Sequence, residues 1–176
     1  MRMNAGRSMA ALVLAAALAG CKGVQEGRVA PGFELPDQKG NLQKLSDFRG
    51  RAVLLAFWAP WAGPCRLSLP QWGRMSKKYA KQGLAVVIVT LFDDAGQAVK
   101  VLKESGVSFP ALTGTDAVTK TWFGRSEIVL PVVFLLDGRG RVVRRIAGFQ
   151  RAEDLEPVIE KALATVSPPA GSGAAR

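Results

Sequence analysis

The sequence predicts an α/β fold in which helices flank a central sheet. Two continuous apolar runs, residues 53–58 and 84–90, have the length and composition of strands buried on both faces. The residues between them have the apolar spacing of an amphipathic helix. Further along, Asp137-Gly138-Arg139-Gly140 between two apolar segments is typical of a hairpin turn. Strands that alternate with helices and end in a hairpin indicate one layered α/β domain.

The other elements follow from local patterns in chain order. Residues 33–35 and 41–43 flank a polar turn and predict a small N-terminal hairpin. The helix after the first buried strand spans 64–82, and Pro70 should bend it. Asp93 or Asp94 is the expected cap of the next helix. The later elements are helices at 95–105 and 116–123, strands at 132–136 and 141–146, and a closing amphipathic helix at 153–164.

The first twenty residues have the pattern of an export signal. Arg2 and Arg7 form a basic region before an apolar stretch at 9–19, which is shorter than the roughly 20 residues of a spanning helix. Leu18-Ala19-Gly20-Cys21 resembles the lipobox of bacterial lipoproteins, and this resemblance implies lipidation of Cys21. A plain secretory signal is the alternative. We therefore expect an exported lipoprotein, anchored to a membrane on its periplasmic or extracytoplasmic face.

The chain is predicted to contain one folded domain with short extensions. Its expected parts are a signal peptide at 1–20, a lipidated tether at 21–28, the domain at 29–164 and a disordered tail at 165–176. The Pro, Gly, Ser and Ala content of the tail is typical of a disordered end.

Charge and residue usage restrict the possible functions. Without residues 1–20, 22 basic and 14 acidic side chains leave a net charge of +8. This excess favours contact with anionic lipid or an acidic partner, although a solvated basic face would look the same. We expect no nucleic-acid partner, because no binding module is recognisable. The chain has no histidine and only two cysteines, so we expect neither a metal site nor a cofactor.

The turn after the first buried strand carries the most informative motif. Residues 57–66 read Phe-Trp-Ala-Pro-Trp-Ala-Gly-Pro-Cys-Arg. Together with segments 30–37, 45–51 and 130–138, this motif resembles the TlpA/ResA-like branch of the thioredoxin superfamily. The resemblance implies a thioredoxin fold, with a central mixed sheet and an N-terminal hairpin extension. It also implies a cis peptide bond before Pro131 and thiol-disulfide exchange by a Cys-x-x-Cys pair.

The chain departs from that family at the position where the chemistry begins. Ala62 stands where the resemblance places the attacking cysteine, and Cys65 matches the resolving position. Ser68 replaces a glutamate that many members carry. Ala56 occupies the position of the buried aspartate of thioredoxins, where this branch often has a neutral residue. An alanine methyl group cannot open a disulfide, since the attacking species is a thiolate. Cys65 is thus the one catalytic candidate, or a small apolar core residue.

Two functions of different kinds remain open from the sequence. The first is a binding module in the cell envelope that holds a peptide or protein. The second is a one-cysteine thiol oxidoreductase or peroxidase that uses Cys65. An ordinary oxidoreductase into which Ala62 was introduced is a third possibility. The expected binding groove consists of Trp61, Ala62, Gly63, Pro64, Leu130 and Pro131.

Overall fold

The computed structural model describes residues 23–91 and 95–166, and within them the chain forms seven strands and four α-helices. The predicted signal peptide, Cys21, the cap at Asp93 or Asp94 and the tail beyond residue 166 lie outside the described residues. The elements are β1 (Glu34–Pro36), β2 (Leu42–Lys44), β3 (Ala52–Trp58), α1 (Gly63–Tyr79), β4 (Leu84–Thr90), α2 (Ala95–Glu104), β5 (Ala111–Thr113), α3 (Asp116–Phe123), β6 (Val132–Leu136), β7 (Val142–Ala147) and α4 (Ala152–Leu163).

A five-stranded mixed sheet forms the centre of the domain, in the order β5-β4-β3-β6-β7. Strands β3, β4 and β5 are parallel, whereas β6 and β7 are antiparallel to their neighbours. Strands β1 and β2 form a separate antiparallel hairpin. The predicted thioredoxin fold with an N-terminal hairpin is therefore confirmed. Strand β5 was not predicted, because its three residues are too few to show a periodicity.

Strand β3 separates two apolar layers. Its side chains alternate between the faces of the sheet, as a strand requires. Leu54 and Trp58 join the layer covered by α1, α2 and α4, and Val53 and Phe57 join the layer covered by α3. All seven residues of β3 are buried, which explains its uninterrupted apolar sequence.

An aromatic cluster binds α3 to the sheet. The ring of Trp122 lies 5.2 Å from that of Phe57 and 4.9 Å from that of Phe134, measured between centroids. Phe123 packs edge-on against Phe57 at 4.9 Å. These tilted and edge-to-face arrangements are the favourable ones for aromatic pairs.

The N-terminal segment differs from its prediction as a tether. Residues 23–30, hereafter the strap, lie along the edge of the sheet rather than extending into solvent. The strap makes backbone hydrogen bonds to α3 and to the β6–β7 hairpin, from Val24 N to Trp122 O and from Gly27 N to Val142 O. The prediction of a tether is therefore wrong for residues 23–28.

The folded chain also continues slightly beyond residue 164. The hydroxyl of Thr165 accepts a hydrogen bond from Gly138 N and donates one to Ala162 O. Val166 packs against the apolar layer that contains α4. These two residues belong to the domain, although the sequence placed them in the tail.

The aromatic cluster predicts a large cost for loss of Trp122, which is 1% exposed. We expect Trp122→Ala to lower the free energy of unfolding by about 3–5 kcal/mol, because it removes buried surface and leaves a cavity. Trp61→Ala is the matched control, since Trp61 is 59% exposed, and should cost less than about 0.5 kcal/mol. Urea unfolding followed by circular dichroism measures both. Equal costs would contradict the assigned role of the cluster.

Candidate functional site

The turn after β3 holds the residues of the degenerate motif at the carboxyl end of the strand. Ala62 N donates to Ala59 O at 3.3 Å and closes this turn. Ala62 then forms the N-cap of α1, with φ −82° and ψ 120°. Trp61, beside it, is 59% exposed. The turn therefore presents an indole to solvent at the start of a helix.

The segment before β6 reaches the same edge of the sheet. Because β6 runs antiparallel to β3, with Val132 opposite Phe57, the amino end of β6 lies at the carboxyl end of β3. The peptide bond between Leu130 and Pro131 is cis, as expected from the resemblance. The sheet thus brings this bond and the motif turn to one edge.

The loop after β7 also belongs to this edge. Gly148 N donates a hydrogen bond to Pro131 O at 2.8 Å, which holds Phe149 beside the cis bond. Exposed apolar side chains lie in the four segments that meet here. Trp61 belongs to the turn itself, and the neighbouring segments contribute Leu67, Val129 and Phe149, hereafter the apolar rim. Sequence reasoning missed Leu67, Val129 and Phe149 as site residues. The signal for Leu67 was its spacing from Gly63 and Pro64, which places it on their helix face.

Cys65 points away from this surface into the core. Its side chain is fully buried and packs in the layer that contains Leu69 and Trp72. Desolvation raises the pKa of the Cys65 thiol from 9.0 to about 11, and an N–H···S contact from Ala59 at 3.5 Å opposes this only in part. At neutral pH the group is therefore a protonated, buried thiol.

The first turn of α1 lacks the groups that would act on a substrate disulfide. Positive charge at a helix N-terminus stabilises a thiolate there, but the side chain of Ala62 at the N-cap is a methyl group. Ser68 is 1% exposed, and its hydroxyl donates to Pro64 O at 2.9 Å within the helix. The position that resemblance assigns to a proton-handling glutamate is thus occupied by a satisfied hydroxyl.

Metal and membrane features can be stated for residues 23–91 and 95–166. Among them, no three His, Cys, Asp or Glu side chains are grouped as a metal site requires. None of the helices in these two ranges combines the length and apolar character needed to cross a bilayer.

Comparison with known proteins places this site in a family. The Redoxin family model matches residues 25–163. Thiol-disulfide oxidoreductase ResA of Bacillus subtilis (strain 168) is 33% identical over 133 residues, which cover 76% of this chain and 73% of the relative. The chain belongs to the redoxin family, among the thiol-disulfide oxidoreductases. The expected TlpA/ResA-like relationship is thereby confirmed.

Two further proteins support this placement. ResA of Geobacillus kaustophilus (strain HTA426) is 33% identical over 138 residues, 78% of each chain. A crystal structure from Chlorobium tepidum, described as a DsbE-type thiol:disulfide interchange protein, is 37% identical with a TM-score of 0.71. It matches 80% of this chain and 99% of its own length. These similarities establish the family, whereas the residues at 62 and 65 decide which part of its chemistry this redoxin can perform.

The burial of Cys65 predicts a thiol that reacts very slowly in the folded protein. We expect reaction with an aromatic disulfide reagent at pH 8 to be at least about 100-fold slower in the folded domain than in urea. A pKa of about 11 in place of 9.0 alone lowers the thiolate fraction by roughly that factor. The control is Leu67→Cys in a Cys65→Ala background, whose exposed thiol should react rapidly when folded. Rapid reaction of folded Cys65 would contradict its assignment to the core.

The same shift predicts a pH dependence of stability. Because the folded state keeps the thiol proton to higher pH, the stabilisation is present below pH 9.0 and is lost as pH rises towards 11. Between these pH values the free energy of unfolding should fall by about 2 kcal/mol more in the wild type than in Cys65→Ala. Guanidinium unfolding of both proteins at several pH values measures the difference. Parallel pH profiles would show that Cys65 titrates normally.

Proposed function

We propose that this redoxin is a lipid-anchored binding module of the cell envelope that does not exchange disulfides. It holds an extended peptide or protein segment in the groove formed by Trp61, Ala62, Gly63, Pro64, Leu130 and Pro131. One observation carries the proposal: the exposed apolar surface around the turn is present, while the one thiol of the domain is buried behind it.

Dithiol exchange needs two sulfur atoms with different tasks. One must be exposed as a thiolate to attack the substrate, and the other must then reach the mixed disulfide to release it. Ala62 provides no sulfur for the first step. Cys65 is placed for the second step, which has no purpose without the first. Retention of the surface without the chemistry supports binding as the remaining activity.

The chemistry of the surface fits an extended apolar segment. Trp61 offers a large rigid side chain at the centre of the surface, and indole rings often dominate the energy of protein interfaces. The segment before β6 reaches the edge in non-helical conformation, where an extended peptide can lie beside it. The apolar rim adds contact area around both.

The envelope location rests on the N-terminal pattern. Cys21 is the acylation site that the lipobox resemblance implies, and several acyl chains would hold the protein stably on a membrane. The partner would then be a protein or peptide of the same compartment. The net positive charge is compatible with additional contact to anionic lipid.

Peptide binding gives the direct test of this proposal. The probe is reduced and carboxymethylated α-lactalbumin, an unfolded chain without free thiols, titrated calorimetrically into the purified domain. We expect Trp61→Ala to weaken binding at least tenfold, because it removes the central contact. Leu42→Ala, which truncates a side chain of similar exposure on the β1–β2 hairpin, should bind as the wild type does.

The same proteins distinguish the one-cysteine enzyme. Cys65→Ala should bind the unfolded chain with unchanged affinity, and neither protein should reduce insulin or consume peroxide above background. Turnover by the wild type that is lost in Cys65→Ala would replace the binding proposal with the enzymatic alternative. Absence of binding to the wild type would reject the groove.

A further inference from the structure

The strap pairs with the edge strand of the sheet over several residues. Gly27 N donates to Val142 O at 2.7 Å, and Val142 N donates to Arg28 O at 2.9 Å. Ala30 N donates to Gly140 O at 2.9 Å. These bonds give the strap an antiparallel course along β7. The strap therefore covers part of an edge that would otherwise be open to pairing.

The outer end of the strap fits closely against the end of α3. A Cβ atom on Gly23 would lie 2.7 Å from the carbonyl oxygens of both Trp122 and Phe123. Val24 N donates to Trp122 O at 2.8 Å, and the Val24 side chain packs against the apolar layer beneath. Since both obstructing atoms belong to the backbone, only glycine allows this approach.

Side chains hold the middle of the strap. The Glu26 carboxylate accepts the Arg145 backbone N–H at 3.1 Å and lies 3.7 Å from Nε of Arg144. Arg141 Nη1 donates to Gly27 O at 3.3 Å. These contacts are exposed and individually weak. Together with the backbone bonds they fix the strap at both ends and in the middle.

The position of Gly23 limits where a lipid on Cys21 can be. Two residues span at most about 7 Å, even when fully extended. An acylated Cys21 would thus lie within about 7 Å of Gly23 and of the carboxyl end of α3 that Gly23 contacts. This step rests on the lipid anchoring stated in the proposed function.

The surface around the strap has the charge that an anionic membrane attracts. Arg28, Arg141 and Arg144 are exposed there and outnumber the one acidic side chain of the strap, Glu26, which lies against Arg144. Basic side chains close to an anionic surface are attracted to it, and the attraction falls off within a Debye length. We propose that the strap holds the domain flat against an anionic bilayer in one orientation, with these three arginines at the headgroups.

This orientation brings the binding surface near the membrane. Because the strap runs antiparallel to β7, its first residues lie beside the last residues of β7. The amino end of the strap therefore points towards Ala147 and the loop that carries Phe149. Phe149 lies four positions after Arg145, a span of at most about 14 Å. The partner would therefore be a segment held close to the bilayer.

The test measures the distance of two points of the domain from the membrane. Full-length lipidated protein with Cys65→Ala is reconstituted in vesicles containing phosphatidylglycerol and an acceptor-labelled lipid. A donor is attached either at Thr121→Cys, beside the strap, or at Leu42→Cys, on the hairpin next to the β5 edge. The sheet separates these edges by about 19 Å. We expect energy transfer at least twofold more efficient from position 121.

A pair of glycine variants isolates the strap. Gly23→Val should release it, making the two efficiencies equal, whereas Gly32→Val should keep the difference because a Cβ there meets nothing within 4 Å. Replacing phosphatidylglycerol with phosphatidylcholine should reduce the difference. Equal efficiencies in the lipidated parent protein, or an unchanged difference in Gly23→Val, would overturn the proposal.

Mass spectrometry of the N-terminal peptide separates this inference from the proposed function. An unmodified Cys21 would overturn the anchoring, and the membrane orientation with it. A diacylated Cys21 with equal transfer from both positions would overturn the orientation alone. Peptide binding by the domain in solution does not depend on the strap contacts to lipid, so its result judges the groove separately.

Discussion

Burial of both faces of β3 is the constraint on which the rest of the structure depends. The strand has apolar layers on each side and hydrogen-bonded neighbours at each edge, β4 in parallel and β6 antiparallel. Its carboxyl end must therefore meet the amino end of β6. The turn with Trp61 and the cis bond before Pro131 share an edge for this reason, independently of any sulfur atom. The proposed binding surface is a consequence of sheet topology and does not require a second sulfur atom.

The fate of Cys65 follows from the helix that carries it. Positions 65, 69 and 72 recur at helical spacing and face the sheet, so the thiol is placed by the packing of α1. Desolvation then keeps it protonated. In a dithiol pair, an exposed first cysteine would form a mixed disulfide with the substrate. The buried second cysteine could then attack that disulfide without first being exposed to solvent. With Ala62 at the partner position, the same packing makes Cys65 a buried core residue.

Local patterns determined which features were predictable. Strand β4 and helix α3 were predicted with their observed bounds, because long apolar runs and amphipathic spacing are visible in the residues themselves. Strand β5 was not, since its three residues are held by pairing with Ile88 and its neighbours far away in sequence. The strap was missed for a related reason: its contacts are mostly backbone hydrogen bonds, which leave little trace in side-chain pattern. For the site, Trp61 and Pro131 followed from resemblance, whereas the exposure of Val129 and Phe149 depends on how loops meet at the edge.

The strap and the proposed binding surface would impose compatible requirements on a partner. A module that binds without turnover is useful in proportion to its occupancy, and occupancy depends on the local concentration of the partner. A flexible tether of several residues would sample many orientations and dilute that concentration, whereas a short, fixed attachment restricts it to one zone near the bilayer. Hydrogen bonds from residues 24, 27 and 30 join the strap to α3 and to the β6–β7 hairpin, and they also fix the point at which a lipidated N-terminus would leave the domain. In the proposed arrangement they keep the groove facing one direction, and a membrane-bound segment is the partner that would benefit from that restriction.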